Sequence, residues 1–542
     1  MNKKQSFAEL ASVLMTATLV SKIFGAAFKI PLAAFLGGEG MGYYMTAYSV
    51  FGPVSAVAIS GMTAAVSKVI AEHSNDISAC KNLLNKSLLL YGIIGTVISL
   101  LIYLCADNIA KYCSDIYGAF AIKCIAPAFL FCSLSASVRG YFEGIRNMYP
   151  TAFGEVAESV VKLVCGSFFA YSTARILLNN HEFAKKIFKI FNTNSESTAA
   201  LTAAAAVLGV SISAFSGFVV SSLFISKNEK NKLNQGKNIP LSLVIKTAIP
   251  ICMSSLVANV SSVIDLSTIA KRINYAKVSN PNYFFSRFEF LGKNILQSER
   301  TGVYFFGAYT GMAMTLFNIV TTVATVFQVS AIPVISTSLK NERMNKTAQK
   351  TENIVKYCLI LTLPLGIGLC CHGEAALKIL FHGKTNEIKI INESLKILGI
   401  GGGVVGLLIA CNGIIQALGD SWFVLFIMML TAAFKYLLNY MLISVPQINI
   451  KGAAISAVIS YSFALICVMI KLKSKFKSNL NLSSAVIKPI ICGLIFLFSN
   501  ILFKKLFILR FSNIISSVFS ALFSGIIYIL FIFLLKIVIK KE

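Results

Sequence analysis

The chain has 542 residues, 56% of them hydrophobic and 13% charged, with a mean hydropathy of +0.75. Soluble globular chains carry about 25% charged residues, so a string of soluble domains is excluded. The formal net charge of +27 does not point to nucleic acid, because the basic residues sit in short loops between apolar runs, as at Lys471, Lys473, Lys475 and Lys477. Anionic lipid and the positive-inside bias place them there.

At the N-terminus, Lys3 and Lys4 precede an apolar stretch that runs past Lys22 to Leu36 without a convincing cleavage site. This reads as an uncleaved first span rather than a signal peptide. Apolar runs long enough to cross a hydrocarbon core of about 30 Å recur to the end of the chain, about fourteen in all. They are predicted near 6–36, 42–70, 86–106, 116–138, 151–178, 198–226, 240–270, 302–338, 355–371, 394–418, 421–445, 451–471, 484–503 and 511–536. The expected fold class is therefore an all-α integral membrane protein. An even number of spans puts both termini on one side. The basic residues favour the cytoplasmic side once the long segments 175–197 and 271–301 are set aside. Of the 13 cysteines, only Cys105 and Cys113 are placed as an extracellular disulfide would need. Free buried thiols are the plainer reading.

The chain also repeats itself. An offset of 270 residues aligns Ser60 with Ser330, Glu72 with Glu342 and Lys86 with Lys356, and one of 273 aligns Gly140 with Gly413 and Lys162 with Lys435. The nearly constant offset implies a duplication into six-span lobes at 1–227 and 240–474, followed by an extra helix pair at 484–540. Six is even, so both halves run in the same direction, and a substrate path is expected between them.

Charges inside apolar spans are costly and mark candidate sites. In the first span Lys22 and Lys29 lie seven residues apart on one helix face, with Pro31 beside Lys29. Lys22 could equally snorkel to the interface. The fifth span carries Glu155, Glu158 and Lys162 on one stripe. Glu158 and Lys162 are ordered as an i,i+4 pair, which serves either insertion of the helix or coupling of ion binding to motion. Ser255, Asn259, Ser262 and Asp265 form a polar stripe on the seventh span, and Thr315, Asn318, Thr322 and Thr325 form one on the eighth. Such stripes either hold helices together or line a watery passage. Gly401, Gly403 and Gly406 spell a nominal dinucleotide motif, but inside an apolar run they read as close helix packing. Gly383-Lys384-Thr385 lacks the glycine that a P-loop needs, and His73, His181, His372 and His382 have no metal-ligand spacing. No cofactor or metal is expected. Transport would draw on an ion gradient, the membrane potential or substrate flow.

Several segments carry a resemblance. The first spans contain Ser21-Lys22-Ile23-Phe24-Gly25, Lys29-Ile30-Pro31-Leu32-Ala33 and Leu36-Gly37-Gly38-Glu39-Gly40, and the second ends in Ser60-Gly61-Met62 and Val66-Ser67-Lys68. The fourth ends in Arg139-Gly140-Tyr141-Phe142-Glu143-Gly144, followed by Asn147-Met148-Tyr149-Pro150-Thr151. Together they resemble the stage V sporulation protein B group of polysaccharide exporters, in the superfamily that also holds the lipid II flippases and multidrug exporters. The resemblance covers nearly the whole chain. It implies fourteen helices in two lobes around a central cavity with the last pair flanking it, alternating access, and an undecaprenyl-diphosphate-linked saccharide as cargo. Cavity cations would hold the diphosphate, as in the flippases. Lys22 matches a basic position of the group. Phe28 stands where the flippases carry an arginine, and Val54, Ser55 and Gly311 or Met312 fall near other arginine positions, which leaves Lys29 as the replacement anion ligand.

The expected activity is thus flipping of a peptidoglycan, spore-cortex or other polysaccharide precursor. Lys22, Lys29 and Arg139 are the anion-contact candidates, with Asn259 and Asn318 as further substrate contacts. Glu155, Glu158, Lys162, Asp265 and Lys435 are coupling or structural charges. Arg139 could instead anchor the inner face. The alternative is a cation-coupled multidrug exporter led by Glu155, Glu158 and Asp265, and a third reading is a scaffold for cell-wall synthesis enzymes. The partners expected are the lipid-linked substrate, membrane lipid and such enzymes.

Overall fold

The computed structural model describes residues 7–73, 76–179, 198–225, 239–341, 344–476, 480 and 482–534. Lys3, Lys4, His181, Glu342, Lys477 and most of the segment 175–197 lie outside them. Among the described residues every regular element is helical, and twelve continuous stretches are long and apolar enough to cross a membrane. The first of these, Val13–Glu72, is 60 residues long. At 1.5 Å per residue it spans about 90 Å, three times a hydrocarbon core of about 30 Å. It therefore holds two crossings. α1 (Phe7–Ala56) breaks at Gly37, whose φ of 64° and ψ of −173° are non-helical. That φ lies in the left-handed region, open to glycine at little cost. The break falls between the predicted spans 6–36 and 42–70.

α1 runs through a π-helical turn (Val57–Met62) into α2 (Thr63–Glu72). The widened turn loosens backbone pairing, and hydroxyls compensate: Ser60 Oγ donates to Ala56 O at 2.6 Å and Thr63 Oγ1 to Ala58 O at 3.2 Å. Next come α3 (Ile77–Tyr112), capped by the Asp76 carboxylate on the Ala79 N–H, α4 (Ala119–Gly144), α5 (Tyr149–Asn179) and α6 (Thr198–Ser222). α5 and α6 approach backbone to backbone, so that a Cβ on Gly209 would lie 2.4 Å from the Gly166 Cα. α7 (Leu241–Ser279) stands at the predicted seventh span, and its stretch Leu241–Met253 is apolar.

The short helices α8 (Pro281–Arg287), α9 (Lys293–Gln297) and α10 (Thr301–Ala308) lead through a second π turn (Tyr309–Ala313) to α11 (Met314–Asn341). α12 (Met344–Leu380), α13 (Thr385–Ala417), α14 (Ser421–Ile443) and α15 (Lys451–Phe476) follow. A Cβ on Gly401, Gly403 or Gly406 would lie 2.5–2.6 Å from Val458, Leu363 or Thr362. That glycine run packs helices and cradles no phosphate. The last pair, α16 (Leu482–Phe507) and α17 (Asn513–Leu534), docks on α12. Tyr528 Oη donates to Ile360 O at 2.8 Å, Lys504 Nζ to Cys371 O at 2.7 Å, and His372 Nε2 meets Asn500 Oδ1 at 2.6 Å.

α17 shows what solvent this fold is built for. Its serines 516, 517, 520 and 524 are buried, while Leu522, Phe523, Ile526, Leu530 and Phe533 are exposed. An inside-out helix of this kind belongs in lipid, where apolar side chains lose nothing by facing outward. The contacts divide the chain into two compact units, Met1–Lys271 and Arg272–Glu542. All thirteen cysteines are free; Cys113 is buried while Cys105 is exposed, so the one placed disulfide candidate is unpaired.

Candidate functional site

The N-terminal unit gathers the charges that the sequence singles out. α4 ends in the Arg139-to-Gly144 motif, and its two glycines let α2 lie against it. A Cβ on Gly140 would fall 2.7 Å from Thr63 O and Val66 Cβ, and one on Gly144 would fall 2.7 Å from Ile70 Cβ. Close packing there leaves the Arg139 side chain to reach α5. It is 3% exposed, with Nη2 donating to Glu158 Oε2 at 3.0 Å and Nη1 at 4.0 Å from Glu155 Oε1. Glu155 also accepts from Thr18 Oγ1 on α1 at 2.9 Å, which ties α1, α4 and α5 together. Lys22, one turn beyond Thr18, lies within electrostatic reach of Glu155. Glu143 adds a third carboxylate near Arg139 and accepts from Thr151 Oγ1 at 3.2 Å.

Two turns along α5 from Glu155, Lys162 enters an aromatic cage on α1. Its Nζ donates to Tyr48 Oη at 3.1 Å and stands 4.4 Å from the Tyr48 ring centroid and 5.7 Å from that of Phe28. Tyr44 stacks on Tyr48 at 5.7 Å. Such rings hold an ammonium without neutralising it. Lys29, half-buried beside Phe28, lies within electrostatic reach of Lys162. Four cations (Lys22, Lys29, Lys162 and Arg139) thus mark a path along α1 and α5.

This arrangement corrects one sequence expectation. Glu158 does not form the i,i+4 pair with Lys162: its carboxylate turns to Arg139 and the ammonium to Tyr48. The planar guanidinium matches a carboxylate better than a point charge on the same helix does. Arg139 itself is almost fully buried and paired.

The other candidates make contacts of their own. Asn259 donates to Ser255 O of its own helix at 3.0 Å, and Ser262 Oγ to Asn259 O at 2.8 Å. Thr315 and Thr325 likewise turn back to Gly311 O and Thr322 O. These side chains turn back along their own helices; Ser255 does so too, to Ile251 O at 3.0 Å, and also meets the Ser60 hydroxyl across helices at 2.6 Å. Asp265 is buried and engaged, and Asn318 is exposed. Lys435 is 2% exposed on α14, in a buried stripe with Thr431 and Asn439, and Asn439 accepts from Ser456. Thr18, Tyr48 and Tyr44 were not legible as site residues, because uncharged side chains in apolar spans carry no signal of their own.

A profile of the family described as polysaccharide biosynthesis protein matches residues 8–178, the stretch that holds this whole network. Stage V sporulation protein B of Bacillus subtilis (strain 168) is 23% identical over 461 residues, 84% of this chain and 81% of that one. Lipid II flippase MurJ of the same organism is 22% identical over 483 residues, 85% and 81% of the two chains. The solved inward closed conformation of a lipid II flippase MurJ matches with a TM-score of 0.62 at 13% identity, covering 96% of this chain and 98% of that one. The chain has the flippase fold. An inward-facing multidrug resistance MATE family transporter of the MOP superfamily shares it, at TM-score 0.66 and 13% identity over 85% and 95% of the chains. The chain is a multi-pass membrane protein, and the resemblance stated from the sequence leads to these relatives. Where a relative's name states an activity, that activity is flipping or multidrug transport.

Proposed function

We propose that the chain is a flippase that carries an undecaprenyl-diphosphate-linked saccharide across the bacterial cytoplasmic membrane by alternating access, with both termini cytoplasmic. The duplicated lobes at 1–227 and 240–474 would supply the moving parts, and the pair at 484–540 would flank them. The observation that supports this reading is the run of four cations on α1, α4 and α5, all within the stretch that matches the polysaccharide family. Cations collected in a membrane interior need an anionic partner. A diphosphate meets lysine as a point charge and arginine as a bidentate fork. Lys22 and Lys29 are the proposed first contacts, Lys162 and Arg139 stand behind them, and Asn259 and Asn318 are proposed saccharide contacts. The polyprenyl tail can stay in lipid throughout.

Cation-coupled drug export would need Glu155, Glu158 and Asp265 as cation ligands. The first two already accept from Arg139 and Thr18, and the third is buried and engaged. The reading is tested by complementing a strain depleted of its lipid II flippase. The wild-type chain should restore growth, and Lys29→Ala and Glu158→Gln should not. Lys29→Glu should abolish precursor export and spare any efflux of cationic dyes. Failure of the wild-type chain to complement would turn the assignment to another saccharide or to drug export.

A further inference from the structure

An empty carrier for a diphosphate faces an electrostatic problem that a loaded one does not. With cargo bound, phosphate charges neutralise the cations around α1, α4 and α5. Without it, those cations would stand unpaired in a low-dielectric interior, which is strongly unfavourable. In this structure carboxylates fill that role for Arg139 and Lys22. Glu158 holds Arg139 at 3.0 Å, and Glu155 stands 4.0 Å from Arg139, accepts from Thr18 and lies within reach of Lys22. We propose that Glu155 and Glu158 are resident counter-ions, which neutralise the cations of the empty carrier, are displaced by the cargo's diphosphate and return when it leaves. This rests on the reading of the chain as a diphosphate-lipid flippase.

The internal duplication separates this role from that of a purely structural ion pair. At the offset of 273 residues, Arg139 aligns with Asn412, Glu155 with Met428, Glu158 with Thr431 and Lys162 with Lys435. The aligned residues meet as their counterparts do: Asn412 Nδ2 lies 3.7 Å from Met428 Sδ, where Arg139 Nη1 lies 4.0 Å from Glu155 Oε1. Asn412 and Thr431 are buried, as Arg139 is. The same helix crossing is thus built in the second half with no charge at these three positions. Packing alone does not require an arginine and two glutamates in the first.

The exposure of the cluster points the same way. The Arg139 side chain is 4% exposed, whereas those of Glu155 and Glu158 are 20% and 26% exposed, so the carboxylates are the more accessible part of the cluster. Their grip is also incomplete, since one contact is beyond hydrogen-bond length and the buried Arg139 Nε has no partner.

The test uses the purified full-length chain, with farnesyl diphosphate as a binding probe and labelled lipid II in proteoliposomes. Glu155→Gln and Glu158→Gln should bind farnesyl diphosphate about tenfold tighter than wild type, the size of effect that removing one nearby competing charge has on an ionic equilibrium. Exchange with lipid II on both sides, in which the carrier never returns empty, should run at the wild-type rate. Net flipping should fall by about tenfold. Glu155→Met, which takes the residue of the second half and leaves the Arg139–Glu158 contact in place, gives the same readout should the glutamine variants not fold. A structural role would instead lower binding, exchange and net flipping together, and that result overturns the proposal. If wild type flips lipid II and the variants bind no tighter, the counter-ion role falls and the flippase reading stands. If wild type does not flip lipid II while the variants still bind farnesyl diphosphate more tightly, the cargo is wrong and the counter-ion role stands.

Discussion

Asp115, in the turn between α3 and α4, is 2% exposed and accepts from Thr46 Oγ1 at 2.5 Å and from the Gly118 N–H at 3.1 Å. Burial pushes its carboxyl up to about 7, against the pull of those two hydrogen bonds and with help from nearby Glu39. The folded protein therefore holds a proton that the unfolded chain releases near pH 4. Between those values stability falls as pH rises, by up to about 1.4 kcal/mol per unit, and the slope ends above pH 7. Asp115→Asn, which can keep both contacts, should flatten that slope and raise the Tm above pH 7; thermal unfolding in detergent from pH 4 to 8 checks this. At this scale the sequence showed which residues were unusual but not what they touched. Lys22, Lys29, Glu155, Glu158 and Lys162 were visible because charge in an apolar span is improbable. Their partners were not, since Tyr48 lies 114 residues from Lys162 and Thr18 lies 137 from Glu155.

Helix boundaries were far easier to read than helix contacts. Each predicted span has a helix in its place, because the length of an apolar run is a local property. The break at Gly37 falls in the gap between the predicted spans 6–36 and 42–70, whereas the π turns at Val57–Met62 and Tyr309–Ala313 left no mark in the pattern. The glycines of the Arg139 motif now have a physical role, since Gly140 and Gly144 set the distance between α2 and α4. Gly140→Leu should destabilise by about 1–3 kcal/mol through overpacking, because its Cβ alone would meet the Thr63 carbonyl at 2.7 Å. Gly413→Leu should act likewise, as a Cβ there would lie 2.6 Å from Gln328 O. Thermal unfolding measures both, and the half-buried Gly525, with nothing within 4 Å of its Cβ position, is the control.

For the whole molecule the open question is the driving force. With the cell interior negative, outward movement of an anion is downhill by roughly 2.3 kcal/mol per charge per 100 mV. A diphosphate cargo should therefore flip faster in proteoliposomes when a valinomycin-imposed potential is negative on the side it leaves. A rate indifferent to the sign of the potential would remove the potential as the energy source. The sequence alone determined that this is an all-helical membrane protein of about fourteen helices, because hydrophobic length is written along one dimension. Its motifs also pointed to the right relatives. Only the tertiary structure decided how the buried charges are spent: Arg139 on two carboxylates of α5, Lys162 in a cage of aromatic rings on α1. Such contacts act over a few ångströms between residues 19 positions apart, as for Arg139 and Glu158, or 114, as for Lys162 and Tyr48, and nothing along the chain fixes that distance until the helices pack.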